Sequence, residues 1–165
     1  MENKRKIFFG RIAVGKSTVA KKISISNQMS LIDCDKEIWN YFKGDKDETK
    51  NIIRSAIKNK NKQLYKEELI KLSNLVDWKQ LLSKYSNYEM SVFGNYYNLN
   101  LLPKDIIDSF ELFKIMCYVD TRALNIADRG LNLEWVEQLD YIYEDPKDIK
   151  YNIIFNEDIL GLRKK

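Results

Sequence analysis

The pattern of apolar and polar positions at the start of the chain predicts a strand, a loop and a helix. Residues 5 to 9 (RKIFF) end in a run of three apolar residues, and we interpret them as a short buried strand. The run stops at a glycine-containing loop from Gly10 to Gly15. From Lys16 to about Ser24 the apolar side chains recur at helical spacing, so a helix is expected directly after the loop.

The next segments continue this alternation. SLID (30 to 33) has the composition of a second short strand, and DKEIWNYF is expected to be a helix with Asp35 as its N-cap. Residues 46 to 85 contain neither proline nor glycine, and their leucines recur at helical spacing. We therefore predict two or three further helices in that segment.

The second half of the chain predicts three strands and further helical segments. We expect strands at 88–93, 111–120 and 151–156, a loop at 93–103, one or two helical turns at 104–110, and helix on both sides of Gly130 within 121–143, with Asn132 as a cap. Strands that alternate with helices predict an α/β fold with a mostly parallel sheet flanked by helices. Residues 1–165 are expected to form a single domain.

Composition narrows the class of protein and of chemistry. The chain has 165 residues, of which 44% are hydrophobic and 32% charged, and its net charge is +4. Such values are typical of a globular protein, which we expect to be cytoplasmic, monomeric and unattached to membranes. Cys34 and Cys117 are too few and too far apart for a disulfide or zinc framework. The absence of histidine excludes Ser-His and Cys-His sites, so acid–base chemistry must fall to other residue types.

The loop matches the pattern G-x-x-x-x-G-K-[ST], with Gly15 followed by Lys16 and Ser17. Glycine lets the backbone turn its N–H groups towards one point, and the N-terminus of the following helix adds to this anion site. In this pattern the lysine reaches the β- and γ-phosphates of a nucleotide, and the Ser17 hydroxyl ligates Mg²⁺. The preceding strand and following helix favour a nucleotide-binding loop of the P-loop NTPase class over a chance match.

Two further groups of charged side chains are candidates for phosphoryl-transfer chemistry. LIDCD (31 to 35) places Asp33 and Asp35 where a strand ends, and ligands of open α/β sheets bind at the carboxyl ends of strands. Asp35 could face the transferred phosphoryl group or only cap its helix. Arg122 and Arg129 lie in a helical segment after a buried strand, where guanidinium groups could bind phosphate oxygens or simply be exposed.

KIFFGRIAVGKSTVAKKI followed by LIDCDKEIW resembles the start of dephospho-coenzyme A kinases, and ADRGLNLEWVEQL and YNIIFNED resemble that family's lid helix and late strand. The resemblance implies ATP and Mg²⁺ as cofactors, a helical acceptor side at about 44–86 and a lid at about 121–144. It implies that ATP binds to Gly10, Arg11, Ile12, Ala13, Val14, Gly15, Lys16, Ser17, Thr18 and Asn156, with Ser17 as the metal ligand. It implies catalytic roles for Lys16, Asp35 and Arg129, and substrate contacts for Asp33, Asp35, Glu89 and Arg122.

The implied reaction is transfer of the ATP γ-phosphoryl group to the ribose 3′-hydroxyl of dephospho-coenzyme A. A nucleoside or deoxynucleoside monophosphate kinase is an alternative, although Arg54 is the sole arginine between residues 12 and 121. A catalytically inactive nucleotide-binding regulator is a second alternative, motivated by the basic segment at 43–66. Nucleic acid is not the expected partner, because such binding usually needs a stronger basic footprint.

Overall fold

The computed structural model describes residues 5–83, 89–91 and 96–163. The strands are β1 (Arg5–Phe9), β2 (Leu31–Asp33), β3 (Glu89–Ser91), β4 (Phe110–Met116) and β5 (Asn152–Phe155). The helices are α1 (Lys16–Ser26), α2 (Cys34–Tyr41), α3 (Lys46–Lys58), α4 (Lys62–Asn74), α5 (Trp78–Ser83), α6 (Tyr96–Leu101), α7 (Lys104–Ile107), α8 (Val119–Asp128), α9 (Leu133–Ile142) and α10 (Asn156–Leu160).

The strands form a parallel sheet in the order β2-β3-β1-β4-β5. Strand β1 is therefore central, and its Ile7, Phe8 and Phe9 side chains are fully buried. Ile7 and Phe9 pack with α2 and α5 on one face, whereas Phe8 packs with α1 on the other. Burial on both faces explains why residues 7–9 of β1 are all apolar rather than alternating, as is typical of parallel sheets.

Helices α3, α4 and α9 form a separate apolar cluster beside the sheet. Its buried members are Ala56, Ile57, Tyr65, Leu69 and Ile142. Asp45 caps α3 by accepting a hydrogen bond from Glu48 N at 3.0 Å, and Asn61 caps α4 by accepting from Leu64 N at 3.1 Å. These caps divide the proline-free segment into separate helices, as the sequence predicts.

The structure differs from the predicted secondary structure in three places. Helix α2 begins one residue earlier than expected, and its N-cap is Asp33 rather than Asp35, since the Asp33 carboxylate accepts from Lys36 N at 3.3 Å. The segment predicted as a loop at 93–103 contains α6, and the strand predicted at 111–120 ends at Met116, so that α8 already begins at Val119. Part of the strand predicted at 88–93 lies outside the described residues, although Glu89–Ser91 do form β3.

Candidate active site

A cavity of about 1200 Å³ opens at the carboxyl ends of the strands. The loop after β1, which we call the phosphate loop (Gly10–Thr18), forms one side of it, and α8 and the segment after α10 lie beside the loop. Helices α2, α3, α4 and α9 form the other side. This is the place where ligands of open α/β folds bind.

Glycine is required at two positions of the phosphate loop. A Cβ atom at Gly10 would lie 2.6 Å from the carbonyl oxygen of Ile115 in β4, so the loop can approach the neighbouring strand only without a side chain. Gly15 has a φ of 85°, in the left-handed region, and a Cβ there would lie 2.1 Å from Nδ2 of Asn156. The two glycines of the sequence pattern therefore permit close packing as well as the turn.

Side chains from later parts of the chain hold the phosphate loop in place. Arg122 Nε donates to Ile12 O at 3.1 Å, Asn125 Nδ2 to Ala13 O at 3.0 Å, and Asn156 Nδ2 to Val14 O at 2.9 Å. A trans peptide points its C=O and its N–H in opposite directions. The next amides along the chain, those of Ala13, Val14 and Gly15, therefore point away from these three donors, as is needed for amides that bind an anion.

Lys16 is buried at the start of α1 and is held by the loop that precedes it. Its Nζ donates to Gly10 O at 3.0 Å and to Arg11 O at 2.6 Å. Burial lowers the pKa of Lys16 to about 8, against the opposing effect of the Asp35 carboxylate. The guanidinium groups of Arg129 and Arg122 lower this pKa further.

Asp33 and Asp35 both line the cavity, on the side of α2. Asp33 caps the helix, so its carboxylate is partly committed to the backbone. Asp35, in the first turn of α2, lines the same cavity as Lys16, and its carboxylate favours the charged form of that lysine. Cys34, between the two, is buried in the core. The helix-cap role thus belongs to Asp33, and Asp35 is one of the residues that line the cavity.

The two predicted arginines have different surroundings. Arg129 ends α8, is exposed and lines the cavity. Arg122 instead makes a bidentate ion pair with Asp140 of α9, at 2.7 and 2.6 Å, while its Nε binds the loop carbonyl of Ile12. In this arrangement Arg122 links the loop to α9 and is not among the residues that line the cavity, and its contact with substrate stays a prediction.

Of the other residues predicted to bind a ligand, some line the cavity and others do not. Members of the phosphate loop that line the cavity are Arg11, Ile12, Ala13, Gly15, Lys16, Ser17 and Thr18. Gly10 and Val14 instead pack beneath the loop. Asn156 lines the cavity, but its amide N–H group is already bonded to Val14 O. Glu89 is the first residue of β3, at the end of the strand opposite to the cavity, and its side chain lies outside the described residues.

Several residues of α8 and α9 also belong to the site, although they were not predicted from the sequence. Thr121, Asn125 and Asp128 line the cavity together with Arg129, and Asp140 joins them from α9. Residues 121, 125 and 128 recur at intervals of four and three, which places them on one face of a helix. That spacing of polar side chains was the signal available in the sequence.

The described residues do not by themselves supply a complete set of ligands for a metal ion. Among these residues, no group of three or more Cys, Asp or Glu side chains could hold a metal ion. Mg²⁺ usually needs only one or two protein ligands when substrate phosphates supply others. The Ser17 hydroxyl, exposed in the first turn of α1, is placed for that role.

Within the described residues, no helix combines the length and apolar character required to cross a bilayer.

No protein-family model matches the chain, and no curated protein is similar to it in sequence. Several solved structures are similar in fold. The protein TT1252 from Thermus thermophilus has a TM-score of 0.58 and 17% identity, with 94% of this chain and 90% of that chain covered. An unliganded sugar kinase from Janibacter sp. HTCC2649 has a TM-score of 0.54 and 10% identity, with 93% and 86% covered.

A gluconokinase from Sinorhizobium meliloti 1021 is similar at a TM-score of 0.51 and 13% identity, with 92% of this chain and 82% of that chain covered. These similarities concern the fold, since the identities are low. The α/β fold with a parallel sheet flanked by helices, predicted from the sequence, is confirmed.

Proposed function

We propose that the protein is an ATP-dependent phosphotransferase that transfers the γ-phosphoryl group to a hydroxyl group of a small molecule. The observation that carries the proposal is that Lys16 and Asp35 face the same cavity beside the phosphate loop. Phosphoryl transfer needs cations on the phosphates and a carboxylate near the attacking hydroxyl, and these two residues supply both. The kinases of similar fold add support at the level of architecture.

The proposed mechanism uses few residues. The acceptor hydroxyl oxygen forms a bond to the γ-phosphorus while the bond from that phosphorus to the β–γ bridging oxygen breaks, and its electron pair leaves with ADP. Asp35 orients the hydroxyl and takes up its proton. Lys16 exchanges its bonds with Gly10 O and Arg11 O for bonds with phosphate oxygens. Arg129 stabilises the charge that develops on the transferred group. Mg²⁺, held by Ser17 and the nucleotide, would supply further positive charge at the phosphates.

The sequence resemblance implies dephospho-coenzyme A as the acceptor. A nucleoside or deoxynucleoside monophosphate is the alternative among enzymes, and an inactive nucleotide-binding regulator is the alternative outside them. The presence of Asp35 beside Lys16 favours an enzyme over a regulator, because ATP binding alone does not need a carboxylate at that position.

The experiment is to measure ATP consumption with Mg²⁺, in the presence and absence of dephospho-coenzyme A and of nucleoside monophosphates. Asp35→Asn is expected to reduce acceptor-dependent turnover by on the order of 100- to 10,000-fold while ATP still binds, since it removes the proton acceptor. Glu37→Gln is the matched control, because it changes an acid to an amide in the same helix at a residue that does not line the cavity.

ATP binding without turnover with any acceptor would favour the regulator. Wild-type turnover by Asp35→Asn would contradict the role of Asp35 in the mechanism.

A further inference from the structure

The cavity is larger than one ligand requires. Small-molecule sites typically have volumes of about 300–1,000 Å³, and this cavity has about 1200 Å³. The phosphate loop occupies one end. The opposite end extends between α2, α3, α4 and α9, and it is the part of the cavity available to an acceptor.

The acceptor end is lined mainly by apolar and aromatic side chains. We call six of them the helical wall: Trp39, Ile53, Ile57, Tyr65, Leu69 and Leu139. Most belong to or pack against the apolar cluster of α3, α4 and α9, so that cluster is also the surface presented to the cavity. Packing of a flat apolar group of a ligand against such a wall is favourable, whereas the wall offers few hydrogen bonds to a charged group.

Positive charge is concentrated at the other end of the cavity. The cavity-lining cations of the described chain are Arg11, Lys16, Arg129 and Arg163, which come from the phosphate loop, the start of α1, the end of α8 and the segment after α10. Arg163 is paired with Asp128 of α8. None of the four belongs to α2, α3, α4 or α9, the helices that form the acceptor end.

The cations of the acceptor-side helices have other surroundings. Arg54 and Lys58 of α3 line a separate, shallow depression together with Trp135. Lys50 lies over the ring of Trp39, with Nζ 5.0 Å from the ring centroid, and it is not among the residues that line the cavity. The charged cavity-lining residues of α2, its N-cap and α9 are instead acidic, namely Asp33, Asp35 and Asp140, and Asp140 is paired with Arg122.

From this distribution of charge, we infer that the acceptor is an uncharged molecule that combines a hydroxyl group with a flat aromatic or otherwise apolar group. The apolar group packs on the helical wall, and the hydroxyl reaches Asp35. A phosphate-bearing acceptor would place anionic oxygens beside two carboxylates and an apolar surface, which is unfavourable without a compensating cation. The inference rests on the proposed phosphotransferase function and specifies its substrate class.

The test compares matched pairs of acceptors. Each ribonucleoside and deoxynucleoside would be tried beside its 5′-monophosphate, because the two differ only in the charged group, with dephospho-coenzyme A as a further anionic acceptor. Turnover would be followed by ADP formation, and binding by ligand-observed NMR in the presence of a non-hydrolysable ATP analogue. We expect at least one neutral member to exceed its phosphorylated partner by on the order of 100-fold in kcat/KM.

A pair of variants examines the helical wall itself. Ile53→Lys places a cation on the wall and is expected to shift the preference towards the phosphorylated partner by about tenfold or more. Ile52→Lys is the matched control, since Ile52 is also half-buried in α3 but does not line the cavity.

The outcomes separate the two proposals. Preference for a phosphorylated acceptor, dephospho-coenzyme A included, would overturn the inference and leave the phosphotransferase function intact. Binding of ATP and of neutral members without turnover would overturn the function but support the assignment of the wall. Failure of every neutral member to bind or react would also overturn the inference.

Discussion

The ion pair between Arg122 and Asp140 gives a prediction whose magnitude follows from the structure. Its two charge-assisted hydrogen bonds are 2.7 and 2.6 Å long, and the two side chains are 21% and 23% exposed. Removing one partner of a fully buried pair costs about 3–5 kcal/mol, whereas exposed pairs contribute about 0.2–1 kcal/mol. Because about a fifth of each side chain remains in solvent, Asp140→Ala should lower the free energy of unfolding by roughly 2–3 kcal/mol.

The assay is urea denaturation, in which a loss of stability lowers the midpoint without changing the slope. Lys62→Ala is the control: its Nζ lies 3.2 Å from Glu144, in a pair that is 41% and 33% exposed, and its loss should cost about 1 kcal/mol or less. Asp140→Ala should also raise the KM for ATP, since Arg122 positions the carbonyl of Ile12. Equal losses for both variants would refute the view that the pair ties α8 and the loop to α9.

Two further predictions concern the phosphate loop. The pKa of Lys16 is lowered from 10.5 to about 8 in the folded protein. Between these two pH values the unfolded state therefore binds more protons than the folded state, so the contribution of Lys16 to the free energy of unfolding rises as the pH increases from about 8 to 10.5. Urea denaturation between pH 7 and pH 10 should show this rise in the wild type but not in Lys16→Met, and identical pH dependence would contradict it. Gly15→Ala should cost roughly 2–4 kcal/mol, because it combines backbone strain with displacement of the Asn156 amide. Thermal melting of Gly130→Ala provides the control, since Gly130 has a φ of 60° but no neighbour within 4 Å of an added Cβ. A similar loss of stability in both variants would show that displacement of the Asn156 amide contributes nothing to the loss in Gly15→Ala.

The features that the sequence predicted correctly depend on local patterns. The apolar run at residues 7–9 of β1, the glycine spacing and the helix cap at Asn132 are determined by neighbouring residues, so they could be inferred without knowledge of the fold. The start of α2 shows the limit of this reasoning. Asp33 and Asp35 are both suitable caps, and the position where β2 stops pairing with β3 decides between them.

The remaining features depend on contacts between distant parts of the chain. The pairing of Arg122 with Asp140 and the bond from Asn125 to the loop cannot be read from either segment alone. The same holds for α6, whose Leu99 is buried in the main core despite surrounding asparagines and tyrosines. The helical wall likewise appears only when residues of α2, α3, α4 and α9 are brought together.

The bonds that hold the phosphate loop have a consequence for the order of folding. They join residues 110, 112 and 142 positions apart, so the phosphate loop is made first during synthesis but its bonding partners are made last. Contacts of such long sequence separation form late, because the entropy of closing the chain must be overcome first. A nascent chain that ends before α8 would have the whole glycine motif yet lack the donors that orient it. Nucleotide affinity should therefore develop in one step near the end of folding, and ATP would stabilise completed molecules rather than partly folded ones.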